Sequence, residues 1–180
     1  GVQTCALPIY DQGSDLAFKA LLISLPSEPD LAMSILPADP ASIHAAREGL
    51  RVELASALGQ SLSDLHDALA SSAPFSPDAE GAGRRALRNA ALELLSAKPG
   101  PSIIARAQAH YRSASNMTEA MGGLNALLNL GGEPLDSALA DFYTRWQDEP
   151  LVIDKWFALQ ARNPAKDALQ KVQALRSEEH

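Results

Sequence analysis

The chain is 180 residues long, enough for one domain with a substantial core, and 46% of it is hydrophobic while only 5% is aromatic. A net charge of −7 and a pI near 5.0 repel a phosphate backbone, so nucleic acid is not an expected partner. The lone cysteine, Cys5, forms neither an internal disulfide nor a paired metal site, which excludes a stapled secreted scaffold and fits a reducing, cytoplasmic setting.

In chain order, the first predicted elements are a helix near residues 15–24 and a short one near 30–35. The apolar run from Ala20 to Ile23, with Leu25 beyond, stops at Pro26 and falls short of the roughly 18 residues a membrane span needs. No membrane partner is expected. Val2 to Ile9 has no basic start and no sustained apolar stretch, so it does not read as a signal peptide. Asp39-Pro40 opens the next element, because proline suits a first helical turn and Asp39 can accept a bond from a free N–H there. Helices are predicted over 40–58 and 62–71, with Ile43, Leu50, Leu54 and Leu58 on one face of the first and Ala46 and Ala57 between them.

Ser76-Pro77, with Ser76 as the cap, opens a helix over 77–96, and Gly100-Pro101 opens one over 101–113. Asn116 with Glu119 three residues on is close to a capping box and opens 117–130. There Met117, Ala120, Met121, Leu124, Leu127 and Leu128 make a stripe that must be buried. Glu133-Pro134 opens 134–147, with Leu135, Leu139, Phe142, Tyr143 and Trp146 on one face. Helices over 150–161 and, after Asn163-Pro164, over 164–175 complete the set.

No stretch reads as a strand, and connections such as Gly131-Gly132, Lys98-Pro99-Gly100 and Ala73-Pro74-Phe75 are too short for anything but helices that turn back on one another. The predicted fold is all-α: antiparallel helix pairs stacked as an α-solenoid or superhelical array of the ARM/HEAT kind, without sequence self-similarity at a fixed period.

Reactive groups are sparse. The four histidines, His44, His66, His110 and His180, lie far apart, and none has a second histidine three or four positions away as an H-E-x-x-H zinc helix requires. His44 reads as half of an exposed helix pair with Glu48 and Arg47. His66, beside Asp64 and Asp67, reads as part of a solvated face, and His110 as a residue whose protonated form suits a helix C-terminus. Cys5 has no catalytic setting. Gly81 and Gly83 read as small residues that let helices approach, not as a phosphate loop. Arg84, Arg85 and Arg88 read as a solvated or salt-bridged face. In Asp154-Lys155-Trp156-Phe157 the rings belong to a core stripe with Val152 and Leu159, on which Trp146 packs. No catalytic, cofactor-binding, substrate-binding or metal residue is assigned.

Four blocks nonetheless carry a resemblance: Arg84-Arg85-Ala86-Leu87-Arg88-Asn89-Ala90; Asn116-Met117-Thr118-Glu119-Ala120-Met121; Asp154-Lys155-Trp156-Phe157-Ala158-Leu159-Gln160-Ala161; and Ala20-Leu21-Leu22-Ile23-Ser24-Leu25-Pro26-Ser27-Glu28, followed by Asp39-Pro40 and Ile43-His44. In their order along the chain and at their spacings they resemble the C-terminal helical region of zinc-dependent alanyl aminopeptidases of the aminopeptidase N type. That resemblance implies a parent protein with a β-rich N-terminal domain, a thermolysin-like zinc domain, a small β-sandwich and a final helical domain, of which this chain is similar to the first part. It places the zinc ligands, the catalytic glutamate and the Gly-Ala-Met-Glu-Asn loop in the upstream catalytic domain of the same polypeptide. It places the arginines that approach the active site beyond Leu175. The expected cofactor is therefore none in this chain and zinc in the intact enzyme. The expected partners are the upstream domain and peptide substrates.

Gly1 to Ile9 and Arg176 to His180 resemble translated adapter sequence, which divides the chain into a foreign leader over 1–10, a partial helical domain over 11–175 and a foreign tail over 176–180. The truncation is expected to leave an apolar face bare around Leu169, Val172 and Leu175. The domain's expected role is to cap the active-site cavity and control peptide access. The competing expectation is a stand-alone α-solenoid scaffold that binds a protein or peptide.

Overall fold

The computed structural model describes residues 13–163 together with 169, 170 and 173. Among these the helices are α1 (Leu16–Ile23), α2 (Glu28–Ser34), α3 (Pro40–Ala68), α4 (Ala79–Leu95), α5 (Pro101–Ser113), α6 (Met117–Leu130), α7 (Gly132–Trp146) and α8 (Pro150–Ala161). No strand occurs among the described residues. The predicted helix over 164–175 lies almost wholly outside them, as do Val172 and Leu175, while Leu169 is exposed.

Side-chain caps set most starts. The Asp15 carboxylate accepts from Ala17 N at 2.6 Å, Asp39 from Ala41 N at 3.1 Å, and Asn116 Oδ1 from Glu119 N at 3.0 Å. Ser27 and Asp30 form a full capping box ahead of α2. Two predicted starts shift. The cap of α4 is Asp78, whose carboxylate accepts from Gly81 N at 2.6 Å, so Ser76 is not the cap and Pro77 precedes the helix. Helix α7 begins at Gly132, because Gly131 and Gly132 take φ of 68° and 72° and turn the chain before Pro134.

A larger correction concerns residues 40–71, where one helix of 29 residues replaces the two predicted. The gap between the predicted helices spans Gly59, yet a glycine inside a helix costs only about 1 kcal/mol against alanine, and burial outweighs that here. The buried stripe runs Ile43, Arg51, Ala55, Leu58, Leu62 and His66, continuous across the glycine, while predicted Leu50 is exposed.

Helix α4 packs antiparallel on α3 and carries α1 beside it, α6 packs on both α4 and α5, α7 on α6 and α5, and α8 on α7. Helix α2 lies against α3. Two apolar clusters result. The first holds Ala20, Ile23, Leu58, Leu62, Leu87, Ala91, Leu94 and Leu95, and so joins α1, α3 and α4. The second is centred on Leu124, Leu127, Phe142, Trp156 and Leu159, with Tyr111 and Leu92 reaching into it. The predicted stripes of α6 and α7 supply it, although Tyr143 of the α7 stripe is 40% exposed and covers Trp156 with ring centres 4.9 Å apart. The Trp156 indole N–H donates to Leu139 O at 2.9 Å and so fixes α8 on α7. Trp146 packs on Phe142 at 6.4 Å rather than in ring contact with Trp156.

Close packing puts opposite demands on two glycines. A Cβ at Gly123 of α6 would lie 2.8 Å from Tyr111 Cα of α5, a backbone atom that cannot move without parting the pair. A Cβ at Gly59 would meet nothing within 4 Å. Gly123→Ala should therefore destabilise the chain by about 1–3 kcal/mol, and Gly59→Ala should stabilise it by about 0.5–1 kcal/mol. Urea unfolding of the two variants measures both signs.

Candidate functional site

Titratable side chains from four helices meet at the seam between the two apolar clusters. His66, near the end of α3, and His110, near the end of α5, are 3% and 1% exposed, and His66 Nε2 stands 2.9 Å from His110 Nδ1. Arg106 donates Nη1 to His66 Nδ1 at 3.0 Å and grips the Asp67 carboxylate with both terminal nitrogens, Nη2 at 3.0 Å. On the other side, Arg88 of α4 donates to His66 O at 3.4 Å and to Glu119 Oε1 at 3.3 Å. Glu119 is buried at the start of α6 and also accepts from Asn116 Nδ2 at 2.7 Å.

These donors settle the tautomers. A guanidinium only donates, so His66 Nδ1 accepts and the ring proton sits on Nε2, from which it is donated to His110 Nδ1. His110 then carries its own proton on Nε2, an atom without a partner at hydrogen-bond geometry. Both rings are neutral at pH 7. Burial, reinforced by Arg88, His110 and Arg106, pushes His66 down to about 3, against a smaller opposing pull from Asp67. Burial and Arg88 push His110 down to about 4, against Glu119. The Arg106 hydrogen bond holds the Asp67 carboxyl below its ordinary value.

Such a seam does not fit a metal ion. The two imidazoles bond directly to each other, the nitrogen His66 has left faces a guanidinium, and Arg88 adds a second positive charge. Among the described residues no group of three or more His, Cys, Asp and Glu is placed to hold a metal. The ring pair is also too deeply enclosed, and too far below neutral pH in its titration, to act as a general base at pH 7. Its chemistry is that of a buried lock.

The sequence readings of these residues change accordingly. His66 does not lie on a solvated face, and His110 does not sit protonated at a helix end, because both rings are buried, His66 against α5 and His110 against α3. His44 is exposed as expected, but its partner is Glu28 of α2 at 2.7 Å, while Glu48 pairs with Arg51 at 2.7 Å and Arg47 at 3.3 Å. The arginine trio is salt-bridged in part. Arg88 and, at 3.9 Å, Arg84 face Glu119; Arg84 also donates to Leu69 O; buried Arg85 donates to Ser76 O and lies 4.6 Å over the Phe75 ring. Gly83 does permit close approach, since a Cβ there would stand 2.9 Å from Ala17 N of α1. Cys5 and His180 lie outside the described residues.

Two clefts on the open surface, among several, lie beside these helices. One, of about 460 Å³, lies where α4, α6 and α8 present Asn89, Met117, Met121, Asn125, Lys155 and Arg162. Three of the four sequence blocks that carry the resemblance contribute to it. Asn89 braces its wall by donating Nδ2 to Thr118 O at 2.9 Å, and Arg162 donates to Asn125 Oδ1 at 2.9 Å. The other, of about 360 Å³, lies between α5 and α7, where the Tyr111 hydroxyl donates to Asp141 at 2.6 Å and Arg112 and Arg145 form the rim. Burial and the Asp141 carboxylate raise the Tyr111 phenol well above its ordinary value, so it stays a donor.

Helices packed neighbour on neighbour and stapled through a polar seam define a stacked-helix repeat domain. The chain belongs to the family described as a domain of unknown function (DUF3458_C), ARM repeats, whose model matches residues 2–180. It is 50% identical over 167 residues, 93% of its length, to the aminopeptidase N of Caulobacter vibrioides. It is 31% identical over 162 residues to that of Haemophilus influenzae and 30% identical over 167 residues to that of Escherichia coli. A crystal structure of Legionella pneumophila aminopeptidase A in complex with aspartic acid has the same fold over 97% of this chain, with a TM-score of 0.84 at 23% identity. The resemblance seen in the sequence blocks holds, and so does the all-α repeat architecture. The chain spans 18% to 19% of those relatives' length and 21% of the Legionella chain.

Two outcomes follow from the seam. Unfolded histidines take up protons near pH 6.5 and these folded ones only near 4 and 3, so stability is whole above pH 6.5 and falls as pH drops below it. With both rings titrating only when unfolded, the slope should approach about 2.7 kcal/mol per pH unit between pH 6 and 4.5. Urea melts across that range check it, and the His66→Gln/His110→Gln double variant should flatten the curve. Separately, Glu119→Ala leaves Arg88, whose side chain is 11% exposed, without its carboxylate and should cost about 3 kcal/mol at pH 7 in the same measurement.

Proposed function

We propose that this chain is a non-catalytic helical domain of a zinc aminopeptidase that removes N-terminal residues from peptides, where it caps the active-site cavity and governs which peptides enter. The observation that carries this reading is the 50% identity to the Caulobacter aminopeptidase N across 93% of the chain. The seam supports it from the chemical side, because the imidazoles and Glu119 are enclosed in the interior and leave shape as what the domain can contribute. Zinc and the catalytic groups then sit in an upstream domain of the same polypeptide, which is this domain's partner, and peptides are the substrates of the whole. No described helix is long and apolar enough to cross a membrane, and the cytoplasm is the compartment we assign.

Deleting the region from a full-length relative such as the Caulobacter protein should relax discrimination between short peptides and folded proteins. Unchanged activity and unchanged size selectivity would count decisively against the role. The isolated chain should release no alanine from alanyl substrates, and hydrolysis that a chelator abolishes would overturn the reading.

A second reading, an α-solenoid scaffold that binds a protein or peptide, is favoured by the cleft of about 460 Å³ on α4, α6 and α8. Coding sequence for H-E-x-x-H and G-A-M-E-N, upstream and in frame, separates the two: its presence selects the peptidase.

A further inference from the structure

The cleft of about 360 Å³ between α5 and α7 brings charges of both signs to one apolar wall. Along α5, Tyr111 and Arg112 follow Gln108 at three and four positions, and along α7 Pro134, Ala138, Asp141 and Arg145 recur at three and four. Each helix therefore presents one face to the space between them. Buried Leu127 and Ala138 form the apolar wall, and the charged groups rim it.

The rim is partly built and partly unsatisfied. The Tyr111 ring is 4% exposed, and its hydroxyl donates to Asp141 Oδ2 at 2.6 Å, which orients the carboxylate and leaves Oδ1 without a bond among the described residues. Arg145 reaches the same Oδ2 with Nη1 at 3.5 Å, the outer edge of hydrogen-bond reach. Arg112 has no hydrogen-bond or ion-pair partner among the described residues.

This charge pattern selects a ligand class. A simple anion is drawn to the two guanidinium groups but repelled by Asp141, and a metal cation meets the reverse. A ligand that carries both signs satisfies all three side chains. Asp141 and Arg145 stand one helical turn apart and within 3.5 Å of each other, so the two ligand charges must also be close together. They are close on the single carbon of a free α-amino acid, whereas each further residue of a peptide moves its termini apart by up to about 3.5 Å.

We propose that the cleft between α5 and α7 binds a free α-amino acid with an apolar side chain, its carboxylate across Arg112 and Arg145, its ammonium on Asp141 and its side chain against Leu127 and Ala138. The inference goes beyond the role proposed above and requires neither zinc nor an upstream domain.

Amide NMR titration of the 180-residue chain with L-leucine tests it. Amide signals of Tyr111, Arg112, Asp141 and Arg145 should shift saturably. Leucinamide, which lacks the carboxylate, and isocaproate, which lacks the ammonium, should each bind at least about tenfold more weakly, since each forfeits a charge-assisted contact. Arg112→Ala should weaken L-leucine by a similar factor. Asp141→Asn should weaken L-leucine yet tighten isocaproate, a pair of opposite signs that lost folding does not produce. Both side chains are exposed, so far-ultraviolet dichroism of the variants should match that of the parent chain. The absence of saturable shifts at about 10 mM L-leucine overturns the proposal. Equal affinity for L-leucine and isocaproate also overturns it and leaves a plain anion surface, and tighter binding of the dipeptide Leu-Leu overturns it in favour of a peptide groove. Because binding is read rather than hydrolysis, each result leaves the functional reading to its own test.

Discussion

The bond between the two buried imidazoles needs a bare nitrogen on His110 and the Arg106 bond needs one on His66, and much of the architecture follows from that requirement. Neutral rings can share one proton in line, His66 to His110, only because Arg106 takes the remaining acceptor of His66. Arg106 is in turn held by Asp67, one residue along α3, so a single guanidinium orients an imidazole and a carboxylate from the same helical turn. Arg88 closes the other side through Glu119. Each cation has its anion, and the two rings stay neutral between them, which is how so much polarity sits inside an apolar seam at tolerable cost.

This arrangement ties together helices that the apolar clusters would leave as two halves. The first cluster is built from α1, α3 and α4, the second mainly from α5 to α8. His66 and Asp67 come from α3, Arg88 from α4, His110 and Arg106 from α5, and Glu119 from α6. Apolar surfaces slide past one another at little cost, whereas directional bonds have one satisfactory register. The seam therefore sets the register of the two halves, and Asn89, clasped to Thr118 O over the bare backbone of Gly122, repeats the device between α4 and α6.

The helical layout was readable from the chain because its signals are local. Pro40 and Pro101 at first turns, Asp39 and Asn116 as caps, and the stripes of α6 and α7 act within a few residues, and the starts of α3, α5 and α6 stand where they were expected. The misreadings share a different cause. Gly59 looks like a break until Leu58 and Leu62 find α4, and His66 looks solvated until α5 lays His110 and Arg106 across it from some 40 positions away. Glu28 is likewise a partner for His44 that no i, i+4 rule supplies. Burial of a polar group depends on what another helix brings to it, and spacing within one helix is silent on that. A faint signal did exist: α3 places Arg51, Ala55, Leu58, Leu62 and His66 on one line, so the histidine continues an apolar stripe rather than a polar one.

Both tryptophans of the chain, Trp146 and Trp156, stand in the last two helices, one half-buried on Phe142 and the other enclosed with its indole N–H bound to Leu139 O. The half formed by α1, α3 and α4 contains neither. Indole emission is consequently a local witness to the α7–α8 end, while far-ultraviolet dichroism weighs every helix alike. Coincidence of the two signals during melting would mean that the halves come apart as one cooperative body, and a lag between them would time their separation.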